Sequence, residues 1–316
     1  MTMPTHVALG RTSAEYVLGG AQLGLDYGIT NRRGMPDLAR VQSILFAGAE
    51  AGLTTIDTAA AYGVSEELIG RALSDSELLR SRLWPITKLD PMTQAAGLSR
   101  HDLLQGVRSS IETSLARLRL STLPLVLLHR AEHRTMAGGA VWESLIQFRE
   151  EGMIEHLGVS VYDPIQAMSV LVDPDVAAVQ IQVNVLDHRH LDAGVPEAAA
   201  RAGTALFVRS AFLQGLLVDP AETPAGLPVD LRHHLDRFRV VAAEYGRSPR
   251  SLALAFARAI PGLTGIVVGA ESPEQVRMNA NLWNEPALDA AEVAGLRQLF
   301  SGLPESLTDP SAWSAL

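Results

Sequence analysis

The sequence contains no cysteine, which excludes disulfide bonds, thiolate nucleophiles and metal sites built on thiolates. Basic residues are also few, with 26 against 35 acidic residues and a net charge of −9. This balance lacks the broad basic surface that binds nucleic acid or anionic membranes. No apolar stretch is long enough to span a membrane, and residues 1–16 lack the charged start and apolar run of a signal peptide. We therefore expect an untargeted, cytoplasmic protein with neither nucleic acid nor a membrane as partner.

Lysine is nearly absent, because 25 of the 26 basic residues are arginine and the exception is Lys88. A bias towards arginine would place arginine wherever a surface cation is enough. An ammonium is a compact point charge whose pKa shifts readily, which a guanidinium cannot imitate. Lys88 is therefore the first candidate for a chemical role, and a chance surface lysine is the alternative.

The pattern of apolar residues predicts a barrel of parallel strands. At 316 residues and 47% hydrophobic content, the chain can bury a large core. Eight short apolar runs alternate with stretches of helical spacing, and most runs are apolar throughout, as in parallel sheets covered on both faces. Eight such units predict one (β/α)8 domain over residues 1–316. The predicted strands are 16–23, 54–58, 83–87, 125–129, 156–160, 179–183, 206–210 and 265–268, and the predicted helices are 37–51, 66–73, 100–118, 141–150, 164–171, 193–202 and 252–259.

A doubly wound open sheet shows the same alternation and is the alternative fold. Its nucleotide-binding fingerprint is absent, because Gly19, Gly20 and Gly24 do not form G-x-G-x-x-G and no P-loop sequence occurs. Residues 215–229, which contain three prolines, predict a surface loop after the seventh strand.

Four polar residues stand at the ends of three predicted strands. Asp57 ends the second strand with Tyr62 five residues on, and Lys88 and His129 end the third and fourth. Singly, each has a structural explanation as a turn cap, a core aromatic, a solvated lysine or a core histidine. Together they supply a proton donor, an ammonium that lowers its pKa, a carboxylate that holds the ammonium, and an imidazole that orients a carbonyl. This set predicts carbonyl reduction with hydride from a cofactor, and it holds too few ligands for a metal site.

Six short motifs occur in one order along nearly the whole chain: IDTAAAYGVSE (56–66), TK (87–88), LLHR (127–130), GVS (158–160), VQIQVN (179–184) and VVGAESPEQVRMN (267–279). With these motifs the sequence resembles the aldo-keto reductase superfamily, whose members are (β/α)8 barrels that reduce aldehydes and ketones with NAD(P)H. The resemblance implies that Tyr62 is the general acid, that Lys88 and Asp57 tune it, and that His129 directs the substrate carbonyl.

The resemblance also implies a nicotinamide site, and here the sequence departs from the family pattern. Family members hold the carboxamide with a Ser-Asn pair and a Gln, which here read Ser160, Val161 and Gln180. The usual stacking aromatic is replaced by Arg209, which either stacks through its planar guanidinium, with Phe212 nearby, or pairs with an acidic side chain. The other cofactor residues that the resemblance implies are Gly20, Ala21, Gln22, Asp57, Ser210 and Gly269.

The last motif begins a helix, with Ser272 as N-cap and Gln275 completing a capping box. Helix N-termini bind anions, and the resemblance places the cofactor phosphates and adenosine here, with Gln275 and Asn279 one turn apart. Arg277, the one basic residue of the segment, lies on the opposite side of the helix from Gln275. NADP(H) is expected from family habit, with NAD(H) as the alternative.

The substrate is not named by the sequence. Residues 24–34 and 212–217 resemble bacterial members of sugar and secondary-metabolite pathways, which implies a small carbonyl substrate of that kind. Arg130, Arg189 and Arg209 suit phosphate, carboxylate or hydroxyl groups. A cofactor-binding regulatory or sensor subunit is the alternative function, which the intact set of four polar residues disfavours. Packing between helices is the alternative for the aromatic residues among those expected at the mouth, which are Leu25, Tyr27, Trp84, Tyr162, His188, Arg189, Phe212 and Trp313.

Overall fold

The computed structural model of the protein describes residues 3–31, 33–92, 98–218 and 226–308. Within them, eight parallel strands close into a barrel, and the last strand pairs with the first. The predicted (β/α)8 fold is therefore confirmed, and the open doubly wound sheet is excluded. The barrel strands are β3 (Tyr16–Gly19), β4 (Thr55–Asp57), β5 (Trp84–Lys88), β6 (Leu123–Leu128), β7 (Ile154–Ser160), β8 (Ala178–Gln182), β9 (Ala205–Arg209) and β10 (Leu263–Gly269).

Helices cover the outside of the barrel, and their ends follow local capping chemistry. Asp37, Ser99, Asp163, Ser248 and Ser272 each accept a backbone hydrogen bond at the start of a helix. None of the described helices is both long and apolar enough to cross a membrane. The helices are α1 (Ala21–Gly24), α2 (Leu38–Glu50), α3 (Ser65–Asp75), α4 (Glu77–Arg82), α5 (Arg100–Leu118), α6 (Ala140–Glu150), α7 (Pro164–Val170), α8 (Arg189–Asp192), α9 (Val195–Ala202), α10 (Val229–Glu244), α11 (Pro249–Arg258), α12 (Pro273–Asn281), α13 (Ala290–Leu299) and α14 (Glu305–Thr308).

Strand residues alternate between two apolar clusters. Tyr16 and Leu18 of β3 pack outward in the large cluster shared with the helices, whereas Val17 packs in a smaller cluster inside the barrel. Ile86 and Phe207 belong to the same inner cluster, so the barrel is filled and is not a pore. The polar residues at the carboxyl ends of the strands consequently lie on a closely packed layer of apolar side chains.

An N-terminal hairpin, β1 (Thr5–Ala8) and β2 (Arg11–Ala14), lies against the starts of the barrel strands. Its two-residue turn has positive φ at Leu9 and Gly10, as a type I′ hairpin turn requires. Trp84, at the start of β5, donates its indole N–H to the carbonyl of Thr12 at 3.2 Å. Trp84 therefore lies at the end of the barrel opposite the mouth, and its expected place at the mouth is wrong.

Several predicted boundaries differ from the structure. The first barrel strand ends at Gly19 rather than at residue 23, because residues 21–24 turn into α1. The predicted helices omit the short helices α4, α8 and α14 and the longer α10 and α13. Of these, α10 carries the helical apolar spacing of Leu231, Leu235, Phe238 and Ala242. Residues 219–225 of the predicted loop 215–229 lie outside the described residues. A single domain over residues 1–316 stays a prediction.

Candidate functional site

A cavity of about 540 Å³ opens where the loops after the barrel strands converge. Asp57, Tyr62, Lys88 and His129 all line it. Because the carboxyl ends of parallel barrel strands meet at one mouth, residues from three strands and one loop come together there. Most of the residues expected at a cofactor line the same cavity, namely Gly20, Ala21, Gln22, Ser160, Gln180, Arg209, Ser210, Phe212, Gly269 and Gln275.

Lys88 and Asp57 form an ion pair at the floor of the cavity. Lys88 Nζ donates hydrogen bonds to Asp57 Oδ2 at 2.6 Å and to the carbonyl of Thr58 at 2.9 Å. Only 1% of Lys88 is exposed, so the interpretation as a surface lysine is wrong. Burial lowers the pKa of Lys88, and the carboxylate of Asp57 opposes that shift. The two opposite charges largely cancel for any group that lies farther away.

Tyr62 lies between this pair and an imidazole. Lys88 Nζ is 4.9 Å from the centroid of the Tyr62 ring, and the His129 ring meets it edge to face at 5.9 Å. Burial raises the pKa of Tyr62, the charge of Asp57 raises it further, and Arg209 opposes the shift. The expected net lowering of this pKa is therefore wrong for this structure, because burial and the charge of Asp57 raise it. The phenol stays protonated at neutral pH, as a proton donor must.

His129 is a neutral imidazole. Burial lowers its pKa to about 3, and the positive charges of Lys88 and Arg209 lower it in the same direction. Its Nδ1 is buried without a hydrogen-bond partner among the described residues. A neutral ring has one N–H donor, so His129 can donate a hydrogen bond to an oxygen placed in the cavity without carrying a charge.

The loop that carries Tyr62 is packed tightly against α1. Tyr62 donates its backbone N–H to Ala59 and accepts one from Ser65, at 3.0 and 2.9 Å. Ser65 Oγ also donates to the carbonyl of Gly20 at 2.8 Å. A methyl group on Gly24 would overlap the carbonyl of Tyr62 and the backbone of Ser65. The absence of a side chain at Gly24 thus allows the two segments to touch.

We expect Gly24→Ala to displace Tyr62. The overlap is with backbone atoms, which cannot rotate away, so the loop must shift at a cost of about 1–3 kcal/mol. The melting temperature and the turnover rate should both fall. Gly106→Ala is the matched control, because Gly106 is exposed on α5 with nothing within 4 Å of the added methyl group. It should be neutral or stabilise by up to about 1 kcal/mol. Wild-type melting and turnover in Gly24→Ala would contradict the close packing.

An unfilled acceptor stands beside the ion pair. Gln180 donates its amide N–H to Asp57 Oδ1 at 2.8 Å, and its Oε1 is buried with no partner among the described residues. Ser160 is paired with Gln180 in the register of β7 and β8, and it lines the cavity too. A buried carbonyl oxygen without a donor is costly unless a ligand supplies one. A primary amide such as the carboxamide of nicotinamide fits this acceptor.

Arg209 does not pair with an acidic side chain in the described part of the chain. It donates to Gln182 Oε1 at 3.0 Å and to Ser210 Oγ at 3.4 Å. Its guanidinium lies 4.6 Å from the centroid of the Tyr162 ring, and its Nη2 is buried with no hydrogen-bond partner among the residues that the structure describes. Of the two alternatives that the sequence left open, the structure therefore favours a planar cation presented to the cavity.

The start of α12 differs from the expected capping box. Ser272 Oγ accepts the backbone N–H of Gln275 at 3.3 Å, as an N-cap does. Gln275 Oε1, however, accepts the N–H of Glu271 at 2.7 Å rather than that of Ser272, so the capping box is wrong. Ser272 and Asn279 are both buried and lie outside the lining of the cavity, where the resemblance had placed them. Direct contact of these two with a cofactor therefore does not follow from the structure.

Arg250 is a cavity residue that the sequence analysis missed. It is the second residue of α11, and it donates to Asn279 Oδ1 at 2.7 Å while its guanidinium lies 5.6 Å from the ring of Phe212. Asn279 is thus hydrogen-bonded to a residue of the cavity lining without lining the cavity itself. A signal was present, because a cation in the first turn of a helix opposes the helix dipole and calls for an explanation.

Other residues expected at the mouth are spread more widely. His188 contacts Asp192 at 2.9 Å, and Arg189 forms ion pairs with Asp187 and Glu305 at 2.8 and 3.0 Å. Both are engaged in structural contacts away from the cavity. Tyr27, Tyr162 and Phe212 do line it, together with Thr30 and Arg33; Leu25 and Arg130 do not; and Trp313 lies outside the described residues.

Within the described residues, no group of three or more histidine, aspartate and glutamate side chains could hold a metal ion. The cavity instead combines a proton-donating phenol, a neutral imidazole and a buried ion pair with an acceptor suited to an amide. This arrangement can protonate an oxygen while a hydride is delivered to the carbon that bears it.

Comparison with known proteins gives one consistent family. The sequence profile described as "Aldo/keto reductase family" matches residues 16–300. An aldo-keto reductase of Mycobacterium avium (strain 104) is 28% identical over 243 residues, which cover 77% of this chain and 76% of that protein. A D-threo-aldose 1-dehydrogenase of a Pseudomonas species is 25% identical over 268 residues, covering 75% of this chain and 81% of that protein.

A solved structure shares the fold. An aldo-keto reductase from Bacillus halodurans in its holo form superposes with a TM-score of 0.76 at 22% identity, over 95% of this chain and 97% of that one. The family profile covers the barrel from its first strand to α13, including the cavity. On this evidence the chain is an oxidoreductase that belongs to the aldo/keto reductase family.

Proposed function

We propose that the protein is an NAD(P)H-dependent reductase of a small aldehyde or ketone, with Tyr62 as general acid. The observation that supports this most is the meeting of Asp57, Tyr62, Lys88 and His129 in one cavity that also contains the unpaired amide acceptor Gln180 Oε1. A regulatory subunit without turnover would have no need for a buried ammonium beside a phenol.

The proposed roles follow from the charges of the residues. A bound reduced nicotinamide would supply a hydride to the carbonyl carbon. Neutral His129 donates a hydrogen bond to the carbonyl oxygen and aligns it with Tyr62. The phenol of Tyr62 gives its proton to that oxygen as negative charge develops there. Because the developing oxyanion is strongly basic, the transfer stays favourable although the pKa of Tyr62 is raised. The ammonium of Lys88, 4.9 Å from the Tyr62 ring, then stabilises the phenolate.

The nicotinamide carboxamide fits Gln180 and Ser160. Its N–H would donate to Gln180 Oε1, whose own amide is held by Asp57 at 2.8 Å. Val161 stands where family members have an asparagine and offers no side-chain hydrogen bond. The amide site and the ion pair therefore share Asp57, so binding of the amide and the position of Lys88 are linked.

The direct test is a steady-state assay with NADPH and with NADH against a panel of aldehydes, ketones and sugars. Sugars are included because a relative is named as a D-threo-aldose 1-dehydrogenase and because Tyr27, Tyr162 and Thr30 add polar groups to the cavity. Turnover of any carbonyl supports the reductase. Tight binding of either cofactor with no turnover across the panel would favour the regulatory subunit.

For the cofactor we propose NADP(H). Arg250 is joined to Asn279 on α12, one turn from Gln275, and both Arg250 and Arg33 line the cavity. Two cations on the side of the cavity near α12 suit the 2′-phosphate of NADP(H). A second candidate, NAD(H), is favoured by Glu271, whose carboxyl group would accept hydrogen bonds from a free 2′-hydroxyl and repel a phosphate. Arg250→Gln separates the two candidates. If Arg250 contacts the 2′-phosphate, this variant should bind NADPH more weakly and NADH with nearly the wild-type affinity.

Gln275→Arg is expected to strengthen the binding of NADPH relative to that of NADH. A charge-assisted hydrogen bond to the 2′-phosphate contributes about 1.5–3 kcal/mol, or about tenfold and more in the ratio of the dissociation constants. Loss of the hydrogen bond that the Glu271 N–H donates to Gln275 Oε1 should weaken the binding of both cofactors alike. Fluorescence titration gives both constants. Arg277→Gln is the matched control, because Arg277 points to Glu50 at 3.3 Å, away from the cavity. An unchanged ratio in Gln275→Arg would place the 2′-position away from α12.

A further inference from the structure

The inner end of the cavity carries one positive charge, that of Arg209, which forms no ion pair with any described residue. Asp57 offsets Lys88 at 2.6 Å, and the pKa of His129, lowered to about 3, leaves that ring neutral. Arg209 contacts only the uncharged groups of Gln182, Ser210 and Tyr162 among its hydrogen-bond and ring partners in the described residues. The site therefore has a net positive potential whose source is Arg209.

Arg209 is held in this position. Gln182 Oε1 accepts from it at 3.0 Å, and the amide N–H of Gln182 is itself bound to Asp187 and to the carbonyl of Thr308, each at 3.0 Å. The Tyr162 ring covers one face of the guanidinium at 4.6 Å. These contacts hold the guanidinium of Arg209 at the cavity and oppose its turning towards solvent.

The charge lies close to where a nicotinamide ring would stand. The ring must present its hydride to the carbonyl that Tyr62 protonates, and its carboxamide fits Gln180 Oε1. Ser160 pairs with Gln180 across β7 and β8, and Gln182 pairs with Arg209 across β8 and β9, so Arg209 is one strand away from the amide site. The position of the ring rests on the proposed function.

We propose that Arg209 raises the reduction potential of the bound cofactor, by destabilising its oxidised, cationic ring relative to the neutral reduced ring. Two positive charges a few ångströms apart in a buried site repel by well over the thermal energy. The phosphates and the adenosine are identical in both redox forms, so their contributions cancel in the ratio of affinities. The protein would then hold the reduced cofactor more tightly than the oxidised one, and the bound reduced ring would be a weaker hydride donor than the free one.

The first test uses the wild-type protein. Dissociation constants for NADPH, NADP⁺, NADH and NAD⁺ are measured by calorimetry or fluorescence titration without substrate. We expect the reduced form of the preferred cofactor to bind about tenfold more tightly than the oxidised form, which for a two-electron couple is about 30 mV. Equal affinities would overturn the proposal. If no dinucleotide binds at all, the proposed function fails instead.

Variants then separate the charge of Arg209 from its shape. Arg209→Gln should bring the ratio close to one, whereas Arg209→Lys, which keeps the charge, should hold it near the wild-type value. Arg130→Gln is the matched control, because it removes an exposed cation next to His129 and should leave the ratio within about twofold. A lysine variant that behaves as glutamine does, or a glutamine variant with the wild-type ratio, would overturn the proposal. If Arg209→Gln does not fold, Arg209→Met provides a second neutral variant.

Discussion

Tyr62→Phe is expected to lower carbonyl reduction by about 10²- to 10⁴-fold, which is the contribution typical of a general acid. The substitution removes one oxygen and keeps the ring that packs against His129 and lies near Lys88. The affinity for NAD(P)H should therefore stay within a few fold. The loss should appear in kcat rather than in KM, because the proton is transferred only as the transition state forms.

Two other phenols of the cavity provide the control. Tyr27 and Tyr162 line the same cavity, and burial raises the pKa of Tyr27 as well. Tyr27→Phe and Tyr162→Phe should change turnover far less than Tyr62→Phe does. If Tyr62→Phe kept turnover near that of the wild type while one of the others lost it, the proton donor would have to be reassigned to that residue.

Lys88→Arg is expected to remove most of the activity, although it keeps the charge. Lys88 Nζ fits between Asp57 Oδ2 and the carbonyl of Thr58, at 2.6 and 2.9 Å, with 1% of the residue exposed. A planar guanidinium is larger and must displace either Asp57 or the Tyr62 ring. We expect kcat to fall by about a hundredfold or more, since the phenolate loses a point charge at the right position. Steady-state rates over a range of pH measure the effect.

A paired variant separates this loss from simple unfolding. Lys88→Met alone leaves the buried carboxylate of Asp57 unpaired, which costs about 3–5 kcal/mol. Adding Asp57→Asn removes that charge, so the double variant should recover most of the unfolding free energy and none of the turnover. Normal rate and pH dependence in Lys88→Arg would show that the position of the cation does not matter.

Local patterns in the sequence were sufficient to predict the barrel and the four polar residues of its inner site. Apolar runs covered on both faces predicted the eight strands, and barrel geometry then brought Asp57, Tyr62, Lys88 and His129 to one mouth. The lone lysine indicated a position where an ammonium is required, and Lys88 is indeed buried in an ion pair. These inferences needed only residue type, spacing and strand direction.

Features that join distant parts of the chain were not predicted. The N-terminal hairpin was missed because its turn places leucine at positive φ, where glycine or asparagine is the usual signal. Arg250 and Asn279 are 29 residues apart, and nothing in either segment indicates that they bond. The pKa of Tyr62 moves in the direction opposite to that expected, because burial and the nearby charge of Asp57 both raise it, and both depend on packing.

The sequence by itself determined the strand order, the end of the barrel that carries polar groups, and the identity of the four residues at its floor, because these depend on short-range periodicity and on the parallel direction of the strands. Only the tertiary structure decided that Arg209 rests on Gln182 and Tyr162 without an acidic partner in the described residues, and that Gln275 Oε1 accepts from Glu271. The charges that a side chain meets are set by segments that fold against it from elsewhere in the chain, and spacing along the sequence carries no record of those contacts.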